Sequence, residues 1–225
     1  MKKEEQKIGF NVFHWGPCVV HTKIPSEAIE LFLKEAEASN KDATSTLAGV
    51  LNKEVFFRDK DKFKALFEKF FSLYNHALST WKDTPPIRNP RPGTMVKPRT
   101  PPKYFLEKLW CNFQRPHDFN PPHSHGGALS FVIYIQIPEE LRKENAAYKG
   151  QSAGPGGITF TYGDTEFNSI CHHSICPEEG DMFIFPAWLK HWVYPFKSDC
   201  TRISISGNVV DSVQLNQVEK DMKNG

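Results

Sequence analysis

Apolar residues along the chain change their period twice, and the changes divide it into parts. Residues 8–14 and 19–21 alternate apolar and polar positions on either side of the turn pair Gly16-Pro17, which predicts two short strands flanking a larger sheet. The period then lengthens. After Pro25-Ser26-Glu27, the residues Ile29, Phe32, Leu33 and Ala36 recur at helical spacing, which predicts a helix with Ser26 as N-cap and Glu27 in its first turn. A stronger helical pattern starts at Asp59. There Phe63, Leu66, Phe67, Phe70, Tyr74, Ala77, Leu78 and Trp81 mark one face while lysines and Glu68 take the other, so this helix should pack on something large and flat.

Residues 84–102 break both periods. Seven of the 17 prolines lie there with Gly93, and neither a helix nor a central strand survives such a run, so an extended surface connector is expected. Beyond it the pattern turns to strands, predicted over 104–114, 129–137, 158–162, 167–176, 182–185, 192–196 and 202–209, with a short strand through His123 and a long loop over 138–157. About eight strands separated by Gly, Pro, Asn and Asp turns predict a mainly β fold, a double-stranded β-helix (a jelly roll or cupin-like barrel) with N-terminal supporting α-helices. The whole chain, 1–225, is expected to form one domain: strands and helices over 1–83, the connector over 84–103, the β core over 104–210 and a tail over 211–225.

Composition narrows the classes of function. The 28 basic and 26 acidic residues are well mixed, so no polybasic tract indicates a nucleic-acid partner. No apolar run approaches the roughly 18 residues of a membrane span. The five cysteines are odd in number and irregularly spaced, and no apolar segment of a signal peptide follows the charged residues 1–7, so a soluble protein in a reducing cytoplasm is expected. The 18 phenylalanines are enough to build a sizeable core.

The candidate chemistry sits in the β region. His123-Ser124-His125 on an extended segment directs both imidazoles to one side, because strand side chains alternate with period two. His191 follows Gly180-Asp181, an apolar strand and Pro186, which puts it at the start of the next jelly-roll strand, where a barrel mouth would present it inward. Three imidazoles can hold one ion, and Fe, Zn, Cu and Ni all suit them. In the stretch from Thr201 to Ser206, Arg202, Ser204 and Ser206 share a face opposite Ile203 and Ile205. An inward arginine needs an anion, either a small dicarboxylate assisted by Ser204 or a protein acid such as Asp199 or Asp211. Trp188, Trp192 and Tyr194 border His191 and either line a substrate entrance or pack at a rim. Cys171-His172-His173-Ser174-Ile175-Cys176 resembles half a zinc site, but the second pair that a structural zinc needs is missing.

Taken in order, Trp110-Cys111-Asn112, Asp118 to His125, Leu129 to Tyr134, Gly180 to Pro186, His191 and Arg202-Ile203-Ser204 resemble the Fe(II)- and 2-oxoglutarate-dependent oxygenases over roughly residues 104–210. The likeness is to the prolyl-hydroxylase-like branch, and within it to oxygenases of bacteria and tailed bacteriophages. It implies the cofactors Fe(II) and 2-oxoglutarate, dioxygen as co-reactant, and a prolyl or other peptidyl substrate, with a host-cytoplasmic location if the gene is a phage's. It also implies His123 and His191 as metal ligands, Arg202 with Ser204 as the co-substrate anchor, Tyr134 on the same carboxylate, and Asn112 toward the co-substrate's other end. His125 departs from the family pattern, which places Asp or Glu there, and Asp118 is a rival carboxylate. Two other readings stand beside this one: a cupin-type three-histidine dioxygenase that does not use 2-oxoglutarate, and a non-catalytic metal- or ligand-binding barrel.

Overall fold

Strands buried on both faces read as unbroken apolar runs, and the centre of this molecule is built from such strands. The computed structural model describes residues 16–82, 102–164 and 170–215. Its strands are β1 (Val20–Lys23), β2 (Lys41–Asp42), β3 (Glu54–Phe56), β4 (Tyr104–Gln114), β5 (Asn120–His123), β6 (Leu129–Gln136), β7 (Ile158–Thr161), β8 (His172–Ile175), β9 (Asp181–Pro186), β10 (Lys190–Val193) and β11 (Arg202–Asp211). The helices are α1 (Ser26–Ala38), α2 (Lys64–Lys82) and α3 (Glu139–Ala146). Two antiparallel sheets form, a larger one in the order β1-β9-β6-β11-β4-β3-β2 and a smaller one in the order β5-β10-β7-β8. This is the expected jelly roll. It is an open sandwich and not the closed, cupin-like barrel of the sequence reading, since no strand belongs to both sheets.

Alternation along the larger sheet separates two environments. Leu109, Cys111 and Phe113 of β4, Phe131, Ile133 and Ile135 of β6, Met182 and Ile184 of β9, and Ile203, Ile205 and Val209 of β11 face outward into a core shared with α1 and α2. That core is dominated by aromatic contacts. Phe67 of α2 meets Phe131 with ring centroids 4.6 Å apart, and Phe32 of α1 stacks on Phe63 at 4.3 Å. The alternate residues, among them Val132, Tyr134, Phe183 and Phe185, face inward and form a second core with Ile158, Phe160 and Val193 of the smaller sheet.

Several boundaries differ from expectation. Ser26 does not cap α1: Pro25 holds the extended N-cap conformation and its carbonyl accepts from the amides of Ala28 and Ile29, which puts Ser26 inside the first turn. The loop expected over 138–157 contains α3, whose single buried apolar residue, Leu141, is too little to produce a helical period. Glu144 of α3 accepts from the amides of Lys197 and Ser198 and from the Ser198 hydroxyl, which ties this helix to the approach to β11. The strand expected over 192–196 is β10, and it starts early enough to contain His191. The strand expected over 167–176 is reduced to β8 among the described residues. The short strands β2 and β3 lay in a stretch with no assigned period. Residues 8–14, nearly all of the connector, and residues 216–225 lie outside the described residues.

One glycine on β11 is required by packing. Gly207 pairs with Phe131 across the β11–β6 ladder, and a Cβ there would come within 2.4 Å of the Phe131 ring and 2.7 Å of the Lys108 carbonyl. The ring lies over the space that a side chain would need. Gly207→Val is therefore expected to destabilise the protein by about 1–3 kcal/mol in urea unfolding, by overpacking against backbone that cannot retreat.

Candidate metal centre

The smaller sheet brings the three histidines together. His191 on β10 is the Cα partner of His123 on β5, and the segment after β5 is tied back by the His125 amide donating to the Ala187 carbonyl at 2.8 Å. The candidate ligand atoms of His123, His125 and His191 all lie within 4.8 Å of one another, and no other such group of ligand-bearing side chains occurs among the described residues. The three positions on which the sequence reading rested thus converge at one point.

Hydrogen bonds set the tautomers of two of them. His123 Nδ1 lies 2.7 Å from the Pro121 carbonyl, and His191 Nδ1 lies 2.9 Å from the Leu189 carbonyl. A carbonyl only accepts, so both Nδ1 atoms carry the proton and both Nε2 atoms keep a free lone pair. His125 Nε2 is 3.3 Å from His191 Nε2. In the metal-free protein the proton of that contact belongs to His125, because His191 Nε2 can only accept. Burial pulls His123 below its ordinary value, and burial with the charge of His123 nearby takes His125 down to about 4 and His191 down to about 3. All three are neutral at pH 7, the form that ligates metal.

The histidines open onto a cavity of about 250 Å³ that runs along the inner face of the larger sheet and also reaches Tyr134, Arg202, Ser204 and Asn112. Arg202 is 2% exposed and donates from Nη1 to the Gly156 carbonyl at 2.6 Å, yet its Nε has no partner. Neither Asp199 nor Asp211 pairs with it. Asp211 accepts instead from the amides of Val213 and Gln214, and no carboxylate lies within ion-pair distance of Arg202 among the described residues. The guanidinium carbon lies 5.1 Å from the centroid of the Tyr134 ring, and the buried Tyr134 hydroxyl is also unpartnered. Burial pushes that hydroxyl up to about 12, so it remains a donor. Ser204, the Cα partner of Tyr134, completes this end.

Asn112 reaches the cavity but its amide is already engaged. It accepts from the Trp110 indole at 3.1 Å and donates to the hydroxyls of Ser204 and Ser206 at 3.3 and 3.1 Å. The held Trp110 ring lies 5.9 Å from His125. Asp118 is no rival to the histidines: its carboxylate accepts from Asn52 and from the Arg115 amide, the bonds of a turn former. Trp188, Trp192 and Tyr194 do not line the cavity. Trp192 follows His191 on β10 and so points to the opposite face, where it meets His172 and Tyr194, while Trp188 meets Tyr162. Among the described residues Cys171 and Cys176 gather no metal-binding group around β8. Sequence reasoning missed Glu54, a buried acid on the cavity wall, whose only signal was a single charge beside the apolar run Val55-Phe56-Phe57.

With that geometry in place, comparison with known proteins adds the class. The family model described as "Putative 2OG-Fe(II) oxygenase" matches residues 108–208, which span β4 to β11 and contain all three histidines and Arg202. That segment, a little under half of the chain, is similar to the 2OG-Fe(II) oxygenase family. Among solved structures, AviO1 from Streptomyces viridochromogenes is similar with a TM-score of 0.52 and 10% identity over 86% of this chain and 90% of that one. A viral collagen prolyl hydroxylase from Paramecium bursaria Chlorella virus-1 gives 0.47 and 13% identity over 85% and 94%, and a Pseudomonas putida prolyl-4-hydroxylase gives 0.45 and 14% over 84% and 90%. At such identities the likeness is one of fold. No curated protein matches the chain. Among the described residues no helix is long and apolar enough to cross a membrane.

The depressed histidines set a pH dependence. Their folded-state values lie below the ordinary 6.5, so the stability they contribute is fully present above that value and is lost as pH falls from 6.5 toward 4 for His125 and toward 3 for His191. Urea unfolding of the metal-free protein is expected to show stability that falls steadily as pH is lowered from 6 to 5, by roughly 1 kcal/mol or more in all.

Proposed function

We propose that the protein is an Fe(II)- and 2-oxoglutarate-dependent hydroxylase in which His123, His125 and His191 hold the metal through Nε2. Arg202, with the Tyr134 hydroxyl and Ser204, binds the distal carboxylate of 2-oxoglutarate. One observation carries this reading: a single cavity joins three imidazoles with free or displaceable Nε2 positions to a buried guanidinium that has no counter-anion among the described residues. A buried, unpaired arginine costs several kcal/mol. A carboxylate that takes the bare Nε and the Tyr134 hydroxyl would offset that cost and satisfy both orphaned donors at once.

When bound, Fe(II) with 2-oxoglutarate and dioxygen supplies oxidation of a substrate C–H bond, coupled to decarboxylation of 2-oxoglutarate to succinate. The chain's own residues set the conditions. The carbonyls of Pro121 and Leu189 hold His123 and His191 in the ligating tautomer, and Asn112 fixes Trp110 beside His125. Arg202 orients the co-substrate, and Val132, Ile158, Phe185 and Val193 form an apolar wall that limits water near the histidines. The substrate is an organic C–H bond brought to the cavity mouth, of which a prolyl or other peptidyl residue is the member that the sequence resemblance implies.

His125 in place of a carboxylate also suits a second reading, a three-histidine dioxygenase that does not use 2-oxoglutarate, but that reading leaves Arg202 without a role. Anaerobic Fe(II) titration followed by assay of succinate from 2-oxoglutarate in air separates them, and uncoupled succinate formation is the expected result. Arg202→Ala is expected to weaken 2-oxoglutarate binding by about 100-fold or more, from the loss of a buried charge-assisted contact. Normal binding by that variant would refute the anchor. His125→Asp, which returns a negative charge to the ligand set, is expected to bind Fe(II) about tenfold more tightly or better in the same titration.

A further inference from the structure

Opposite Arg202 the cavity ends in an acid. Glu54 on β3 is the Cα partner of Asn112 on β4, Asn112 of Ser204 on β11, and Ser204 of Tyr134 on β6, so four cavity-lining side chains form one row across the larger sheet. With neighbouring strands about 4.8 Å apart, Glu54 stands roughly 10 Å from Ser204 and roughly 14 Å from Tyr134. The row is polarised. At the Arg202 end the orphaned atoms, Arg202 Nε and the Tyr134 hydroxyl, are donors, whereas at the β3 end the orphaned atom is an acceptor, Glu54 Oε2.

Glu54 is 1% exposed and has no ion-pair partner among the described residues. Burial, with Asp42 and Asp118 nearby, pushes its carboxyl up to about 7, so ionisation is costly, and among the described residues no cation lies within ion-pair distance to relieve it, Lys108 of the same cavity included. Two rings stand beside it. Phe56 follows Glu54 by two residues on β3 and is the Cα partner of Trp110, and both rings line the cavity. The ammonium of Lys41, which does not line the cavity, lies 5.6 Å from the Phe56 ring centroid, so this ring already interacts with one cation. A buried carboxyl that lacks an ion-pair partner among the described residues and lies next to aromatic faces suits a protonated amine or a guanidinium, and 2-oxoglutarate, an anion at the far end, cannot serve it.

Given 2-oxoglutarate at the Arg202 end, we infer that Glu54, with Phe56 and Trp110, binds a cationic nitrogen of the primary substrate, an ammonium or guanidinium group, and so selects which C–H bond faces the histidines. The co-substrate's anion and the substrate's cation then occupy opposite ends of one cavity. Neutral or acidic substrates leave Glu54 unsatisfied and are disfavoured.

The test uses small probes. Methylguanidinium and methylammonium, with neutral N-methylurea as control, are titrated into the protein loaded with Zn(II) and 2-oxoglutarate, and glutamate carboxyl and co-substrate carbons are followed by NMR. Both cations are expected to bind saturably, to shift the Glu54 carboxyl resonance, and to bind about tenfold more tightly than N-methylurea. Glu54→Gln should remove that preference, and Phe56→Leu should weaken it several-fold. Equal affinity for cations and N-methylurea in the wild type, or an undiminished preference in Glu54→Gln, would overturn the assignment. The co-substrate signals keep the two readings apart: no bound 2-oxoglutarate sinks the oxygenase proposal, while bound 2-oxoglutarate without cation preference sinks this inference alone.

Discussion

Period-two alternation along β4 and β11 is the constraint on which everything else depends. Their odd-numbered residues, Leu109, Cys111 and Phe113 with Ile203 and Ile205, are committed to the aromatic layer of α1 and α2. Their even-numbered residues, Asn112, Arg202, Ser204 and Ser206, are thereby forced into the cavity. A slip of one residue would bury a guanidinium among phenylalanines and turn isoleucines toward the histidines, so the helices that never touch the site enforce its polarity. Gly207 belongs to the same device, since it lets Phe131 close over the sheet without lifting β11 from β6.

Much of this was legible in sequence because alternation survives burial on both faces when one face is polar. β11 displays its arginine and serines between isoleucines, and the three histidines announce themselves by spacing and flanking turns. What escaped notice had little apolar signal or depended on pairing. α3 carries one buried leucine, and Pro25 displaced Ser26 from the cap through backbone geometry alone. Trp192 appeared to border the site because it adjoins His191, but adjacency on a strand means opposite faces. Glu54 could not be recognised from its neighbours. Only the β3–β4 register puts it in line with Asn112 and Ser204.

The charges of the site fit together as a set. Three neutral imidazoles bring no negative charge to a divalent ion, and under the proposed function a dianionic co-substrate would supply the compensation. Arg202 would balance the carboxylate remote from the metal, while Glu54 lines the same cavity at its β3 end. The family match covers the segment that holds the histidines and Arg202, whereas Glu54 and Phe56 come from the N-terminal part outside it. On the two proposals, the metal chemistry and the selection of substrate would reside in different parts of the chain, joined through the β3–β4 ladder.

The central claim is that the histidines and Arg202 bind one metal and one dicarboxylate in a fixed orientation. Its most direct test is paramagnetic relaxation of 2-oxoglutarate labelled with 13C at C1 and C5, in anaerobic protein loaded with Fe(II). The account predicts strong broadening at C1, next to the metal, and clearly weaker broadening at C5, next to Arg202. Equal broadening of the two carbons, or none at either, would contradict it.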